Sequence, residues 1–390
     1  MKRLNGQHRL LVVTESLGFG GTESHLIRLL PRLSAFGWEI AVFCLSGRGE
    51  RAAQLEAVGV EVLSCYSSLE DRVVYRRDPL ALMRTANQLF SLMRRWRPRV
   101  AHFYLPAPYL IGAPIAIAAG TPVKVMSRRS LADYQQRWPL SANWERKLHP
   151  RMDALVGNSR AVVVQLLSEG VPESKLKLIY NGVEISEPQS DRCEVRRELG
   201  LDARALIGVI VATLIPYKGH EDLIKGLGQV APYLPSPWSV LVVGRDQGLR
   251  AKLEAMAQSE GIANNIQFLD QRADIPQLLA AADFGLSTSH EEGFSNVILE
   301  AMVAGLPMVA TAVGGTPDAV MHERTGLLVP PRDPAAIGEA VLRLARNPKL
   351  RRTLGKAGRS RVEREFSIDR CACAHYDLYQ ELIARPSRVS

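Results

Sequence analysis

The sequence predicts an α/β protein of two doubly wound units, and three observations carry that prediction. Short apolar runs alternate with longer amphipathic stretches along the chain, the pattern of parallel strands joined by crossover helices. The pattern stops at Asn181-Gly182-Val183, a strong turn signal, and restarts after Glu184 to Asp191, a segment with Pro and Ser that reads as a linker. The length of 390 residues and an apolar content of 46% suit two domains with full cores.

In the first unit, Arg9 to Thr14 is the first strand, the Phe19-Gly20-Gly21-Thr22-Glu23 loop follows, and Ser24 to Phe36 is a helix with Leu26, Leu29, Leu30 and Leu33 on one face. Strands follow at 39–45, 60–63, 100–103, 123–127, 154–158 and 177–180, with an amphipathic helix over Pro79 to Arg95. In the second, strands are expected at 207–212, 239–243, 266–269, 284–288, 308–311 and near 327–329. Asp333 to Phe366 reads as helical and rich in Arg, and Ser367 to Ala384 as a last helix with Ile368, Tyr376, Tyr379 and Leu382 apolar. The two halves share an architecture without an internal sequence repeat.

Composition narrows the partners. The net charge is +9, and it is unevenly spread: residues 1–183 hold 25 Lys and Arg against 14 Asp and Glu (+11), and residues 184–367 hold 21 against 23 (−2). A basic half implies an anionic membrane, an acidic acceptor, a nucleic acid or merely a solvated face. No nucleic-acid module is recognisable, so membrane or lipid-linked acceptor is favoured. The densest clusters are Arg72, Arg76, Arg77 and Arg94, Arg95, Arg97, Arg99. No apolar run has the length of a membrane span or a signal core, and five scattered cysteines (Cys44, Cys65, Cys193, Cys371, Cys373) suit a reducing cytoplasm. Cys371, Cys373 and His375 on one helix lack the spacing of a zinc site, and no D-x-D pair occurs. No metal site or cofactor is therefore expected.

The most telling words lie at Glu292 to Glu300, Glu-Gly-Phe-Ser-Asn-Val-Ile-Leu-Glu, followed by Val313-Gly314-Gly315. Gly293 permits close backbone approach, Ser295 can cap a helix whose free N–H groups attract phosphate, and two carboxylates can accept hydrogen bonds from hydroxyls. Spacing alone leaves open that Glu292 and Glu300 are solvated charges. Gly20 and Gly21, at the carboxyl end of strand one and opening a helix, lie where doubly wound sheets bind ligands, although they also suit a simple turn.

The complete wording resembles the E-x7-E signature of retaining glycosyltransferases of family four, which have the GT-B fold of two Rossmann-like domains facing a central cleft. The resemblance extends over nearly the whole chain, through Asn158-Ser159, Gly170-Val171, Ile179 to Val183, and Leu214 to Gly219. It implies an acceptor-side domain at 1–183, a donor domain at 184–367, and a terminal segment, 368–390, packed back on the first domain. It also implies a hexosyltransferase that moves sugar from UDP- or GDP-sugar to a glycan or lipid-linked acceptor in cell-envelope or exopolysaccharide synthesis. Such an enzyme would lie in the cytoplasm, peripheral on the inner membrane face.

By resemblance, Glu292 contacts the donor sugar and Glu300 the ribose hydroxyls. Gly293, Phe294, Ser295 and Asn296 belong to the same donor-binding loop, and Gly20 and Gly21 face the diphosphate and acceptor. Lys218, with Arg245 as a helper, meets the charge of the leaving diphosphate. Two departures stand out: Ala212-Thr213 replaces the usual Gly-Arg pair before Lys218-Gly219, and Met126-Ser127-Arg128-Arg129 stands where many members carry a His. Arg128 and Arg129 are then candidates for an anionic acceptor and His102 for the same site, each equally readable as structural or solvated. A sugar-nucleotide epimerase of the same fold and a non-catalytic nucleotide- or glycan-binding protein remain as alternatives.

Overall fold

The computed structural model describes residues 8–66, 78–131, 135, 139–185 and 191–385. The Arg72, Arg76, Arg77 cluster and most of the expected linker lie outside them. The chain divides into two compact units, Met1–Gly182 with Ile368–Ser390, and Val183–Ser367.

The first unit is built on seven parallel strands: β1 (His8–Thr14), β2 (Trp38–Cys44), β3 (Glu61–Ser64), β4 (Val100–Tyr104), β5 (Val123–Arg128), β6 (Ala154–Gly157) and β7 (Leu176–Leu178). Their order is β3-β2-β1-β4-β5-β6-β7. Strands buried on both faces read as continuous apolar runs, and Leu10, Leu11, Val12 and Val13 of β1 are all inaccessible. The helix Gly21–Ala35 buries Leu26, Leu29, Leu30 and Leu33 at helical spacing and tolerates Pro31 near its end. It starts three residues earlier than the sequence predicts, because Gly20 is its N-cap.

The helix Ile368–Ala384 lies against Gly21–Ala35 within this unit. Ile368, Tyr379 and Leu382 enter the same core as β1 and β2, with Tyr376 partly buried beside them. The Tyr379 ring meets Trp38 edge-on at 5.3 Å, and Tyr376 meets Phe36 at 5.4 Å. Burying each such side chain is worth roughly 1.5–3 kcal/mol, so this face is a large part of the unit's cohesion.

The second unit has six parallel strands: β8 (Leu206–Val211), β9 (Trp238–Val243), β10 (Ile266–Phe268), β11 (Phe284–Ser287), β12 (Met308–Thr311) and β13 (Gly326–Val329). Their order is β10-β9-β8-β11-β12-β13. The segment expected to be helical over 333–366 is so, as two helices, Pro334–Arg346 and Pro348–Glu365. The break falls at Asn347, whose side chain accepts the Leu350 N–H at 2.9 Å and caps the second helix, while Pro348 fills its first position.

In each sheet the winding reverses once, between β1 and β4 in the first and between β8 and β11 in the second. At such a point the crossover helices depart to opposite faces and leave a crevice outside the carboxyl ends of the two strands. Gly20 and Gly21 follow β1 at the first of these places, and Lys218 and Glu292 follow β8 and β11 at the second.

Candidate functional site

In the second unit, Lys218 follows β8 and Glu292 follows β11, the neighbouring strands at the reversal. Residues 74 apart in sequence are thereby delivered to one place, and Lys218 Nζ donates to Glu292 Oε2 at 2.6 Å. Both side chains are less than a fifth exposed. Burial alone would lower the Lys218 ammonium, but the charge and hydrogen bond of Glu292 outweigh it, and the net shift is upward. The lysine is thus held charged at neutral pH.

The two loops are fastened by backbone. His290 N–H donates to the Tyr217 carbonyl at 2.7 Å, and Thr288 Oγ1 donates to the Lys218 carbonyl at 3.1 Å. Gly219 sits in the left-handed region (φ 69°), ending the turn Pro216–Lys218 and opening the helix His220–Val230. A Cβ there would stand 1.9 Å from the Thr288 carbonyl oxygen, so only glycine lets the loops meet. His290 Nε2 and Asp222 Oδ2 pair at 2.7 Å and tie the Glu292 loop to that helix's first turn. His220 is buried without a hydrogen-bond partner, and burial with nearby Lys218 pulls it down to about 4, so its ring is neutral.

Beyond Glu292 the chain turns into the helix Asn296–Val303, with Ser295 at its N-cap. The expected side-chain cap is not made: the Ser295 hydroxyl bonds no helix amide. Gly293, Phe294 and Asn296 are buried, Phe294 with its ring 5.6 Å from Phe366. The Glu292 carbonyl accepts the Gly315 N–H at 3.3 Å, which joins the Val313-Gly314-Gly315 turn to the loop. Glu300 is half-buried on the second turn of the helix. Arg245 is exposed just past β9, and its carbonyl accepts the Leu214 N–H at 2.9 Å. Gly219, His290 and Asp222 had no assigned role in the sequence, although the Lys218-Gly219 pair was itself the signal for the first.

In the first unit, Gly20 and Gly21 follow β1 and His102 lies on β4, the strands of that reversal. The Glu23 carboxyl folds back over Gly20, and burial raises it although Arg129 and Arg51 oppose. Arg129 donates to Asn181 Oδ1 at 2.7 Å and lies 5.9 Å over the Tyr104 ring. Arg129 therefore stands with Glu23 and Tyr104 near the glycine loop.

His102 and Arg128 are placed differently. His102 is inaccessible, with Nδ1 at 2.6 Å from the Tyr379 hydroxyl and Nε2 at 2.8 Å from Ser127 Oγ. Burial drives its pKa far below the usual imidazole range, and His375 and Arg129 add to that. Arg128 is buried between the carboxylates of Glu145 and Glu169. Burial would raise Glu169, but His149, at 3.1 Å, and Arg128 bring it down to about 2. All hydrogen-bonding capacity of the His102 ring and two nitrogens of the Arg128 guanidinium are committed to the fold.

Among the described residues, no helix is long and apolar enough to cross a membrane and no group of three His, Cys, Asp or Glu is arranged to hold a metal.

Comparison with known proteins matches the same two regions. The Glycosyltransferase Family 4 profile covers residues 19–187 and the Glycosyl transferases group 1 profile residues 191–361. A D-inositol 3-phosphate glycosyltransferase of Salinispora arenicola is 30% identical over 290 residues, 70% of this chain and 64% of the relative. The chain thus spans less than two thirds of that relative's length. One of the same description from Streptomyces scabiei is 28% identical over 92% of this chain and 86% of its own. Among solved structures, Anabaena HepE in complex with UDP-glucose superposes with a TM-score of 0.82 at 23% identity, covering 96% of this chain and 99% of that one. A sucrose-phosphate synthase of Thermosynechococcus elongatus does so at 0.79 and 22%, covering 97% and 100%. With its two parallel-sheet Rossmann-like units and both profiles in order, the chain belongs to the family-four glycosyltransferases of the GT-B fold.

Proposed function

We propose that this protein transfers a hexosyl group from a nucleoside-diphosphate sugar to a hydroxyl of a glycan or lipid-linked acceptor, with retention of anomeric configuration and without a metal ion. The observation that carries the reading is the Lys218–Glu292 pair, placed by Gly219 at the reversal point of the second sheet. A cation held charged beside a helix start suits a departing diphosphate, since preorganised charge costs no reorganisation as the leaving group develops. Glu292 then orients the sugar hydroxyls, and Glu300 takes the ribose. Arg245 adds to the phosphate contacts, with Gly293, Phe294, Ser295 and Asn296 shaping the loop. The acceptor proton passes to the departing phosphate in a front-face displacement, so no separate base is required.

Support for UDP-sugar as donor comes from the structural neighbour in complex with UDP-glucose. Arg129 is the better acceptor candidate of the two arginines, because Arg128 is enclosed by carboxylates. A thermal-shift panel of UDP- and GDP-sugars tests the donor reading, since a true donor raises the unfolding midpoint by mass action. Absence of a shift with every nucleotide sugar at millimolar concentration counts against it.

The reading includes a peripheral place on the cytoplasmic face of an anionic membrane. The helix Pro79–Trp96 exposes Leu80 and Met83 at more than 60% alongside exposed Arg84, Arg94 and Arg95, a combination suited to an acidic lipid surface. Co-sedimentation with anionic vesicles should exceed that with neutral ones at low salt and fade at high salt. Equal binding to both removes this part of the reading.

A further inference from the structure

The amino ends of the second sheet carry a feature that the transfer reaction does not use. A cavity of about 560 Å³ opens there, lined by Arg192, Arg196, Arg204, Arg346, Arg351 and the single acid Asp283. Five guanidinium groups against one carboxylate leave a net of +4 on the side-chain lining. It stands at the end of β8 and β11 opposite to Lys218 and Glu292, since Leu206 and Asp283 precede or begin those strands.

The arrangement is built rather than a loose surface. Asp283 Oδ1 accepts from Arg192 at 2.6 Å, and Oδ2 accepts from Arg196 at 2.9 Å and from the Ile207 N–H at 2.8 Å. Both oxygens of the only acid are therefore committed. Arg196 is 3% exposed and is further held by the carbonyls of Ala281, Ala203 and Ala205. Arg192 donates to the Ala282 carbonyl at 3.0 Å, Arg351 to those of Leu344 and Ala345, and Arg346 to that of Tyr233 at 3.2 Å. Carbonyls fix these side chains without cancelling their charge. Arg351 uses one of its three nitrogens in these bonds and Arg346 one, while Arg204 is exposed. Pro348, the first residue of the 18-residue helix Pro348–Glu365, also lines the cavity, which brings the positive end of that helix dipole to the rim.

We propose that this cavity is a second anion site, which takes a compound bearing two or more phosphate charges. Fixed planar forks converging on a concave, cationic space match the several oxygens of a phosphate better than those of a single carboxylate. The volume lies in the range of small-ligand pockets. The same phosphate chemistry could be presented by a soluble pyrophosphate ester or by a phosphorylated lipid headgroup.

The test uses the full chain with Lys218→Ala, which weakens phosphate binding at the proposed donor site, and any binding left there is told apart from the cavity by its indifference to substitution of the cavity's arginines, so the outcome is independent of that reading. Inorganic pyrophosphate is titrated by calorimetry, and vesicles of phosphatidylcholine with phosphatidylinositol phosphate are sedimented in parallel. Adding Arg204→Ala and Arg346→Ala should weaken binding of the responding probe by about tenfold or more. Arg204→Ala alone, at an exposed position, provides the same direction if the double variant is unstable. Arg343→Ala, on the same helix but paired outward to Glu323, should leave binding unchanged. A response from pyrophosphate assigns a soluble ligand, and a response from vesicles alone assigns a lipid headgroup. If neither probe binds, or if binding ignores the arginine substitutions, the site does not exist.

Discussion

Gly219→Ala is the most direct perturbation of the site, because the geometry fixes both its size and its target. Two costs combine. The left-handed φ of 69° is worth about 1–2 kcal/mol for a residue with a Cβ. The new Cβ would also stand 1.9 Å from the Thr288 carbonyl, so backbone on one side must move by about 1 Å or more to reach a tolerable contact. That second cost is typically 1–3 kcal/mol, which brings the total to about 2–5 kcal/mol. At roughly 2–4 °C per kcal/mol for a unit of this size, the unfolding midpoint of the second unit falls by about 5–15 °C. The movement separates the loops that hold Lys218 against Glu292, so nucleotide affinity falls with it. Gly200→Ala is the matched control: its φ is also positive, at 66°, but nothing lies within 4 Å of an added Cβ. Differential scanning calorimetry and nucleotide titration on both variants separate strain from clash. If Gly219→Ala costs no more stability than Gly200→Ala and binds nucleotide as well, the close approach does not position the site.

Lys218→Ala should lower turnover by about 10²–10³ while the midpoint changes little, since one preorganised donor to a developing charge is worth that much; a few-fold effect in a steady-state assay would move the role to Arg245 or to backbone amides. Glu300→Ala should weaken nucleotide binding, read by calorimetry, by roughly 1.5–3 kcal/mol, the worth of a charged hydrogen bond, and unchanged affinity removes Glu300 from the ribose. Turnover should persist in excess chelator, and a loss restored by magnesium or manganese would contradict metal-independent transfer. The first unit should lose stability as pH falls from about 6.5 toward 4. Burial holds His375 down to about 4 and also lowers His25 and His102 well below the usual imidazole range, among neighbours Arg129, Cys371, Tyr104 and Tyr379. The unfolded chain then binds protons that the folded chain refuses, which for His375 alone amounts to about 3 kcal/mol. Denaturation midpoints at pH 7, 5.5 and 4.5 check the slope, and His375→Gln should flatten part of it.

Strands were the legible part of this chain. β12 lies at 308–311 as its apolar run predicts, and most other strands agree within a residue or two, because a strand buried on both faces must be apolar throughout. The helix break at Asn347-Pro348 was legible too, as a cap followed by Pro, but helical periodicity on either side concealed it. The Lys218–Glu292 contact was beyond local pattern: it exists because β8 and β11 are neighbours, and strand order is not written in periodicity. The same holds for Arg128. Its adjacent charged residue in sequence is the cation Arg129, while the carboxylates that enclose it come from positions 145 and 169. His102 was ambiguous for the same reason, since its partner Tyr379 is 277 residues away.

That distance has a bearing on biosynthesis. Residues 183–367 are contiguous and can reach their native arrangement as soon as they leave the ribosome. The preceding unit emerges first yet waits for the final helix, because Ile368, Tyr379 and Leu382 fill the core beside Trp38 and Leu26. Throughout translation of the intervening stretch, that apolar face stands uncovered and invites association with other nascent chains or capture by a chaperone. Termination shortly before residue 368 would therefore leave a complete second unit joined to an unfinished first one.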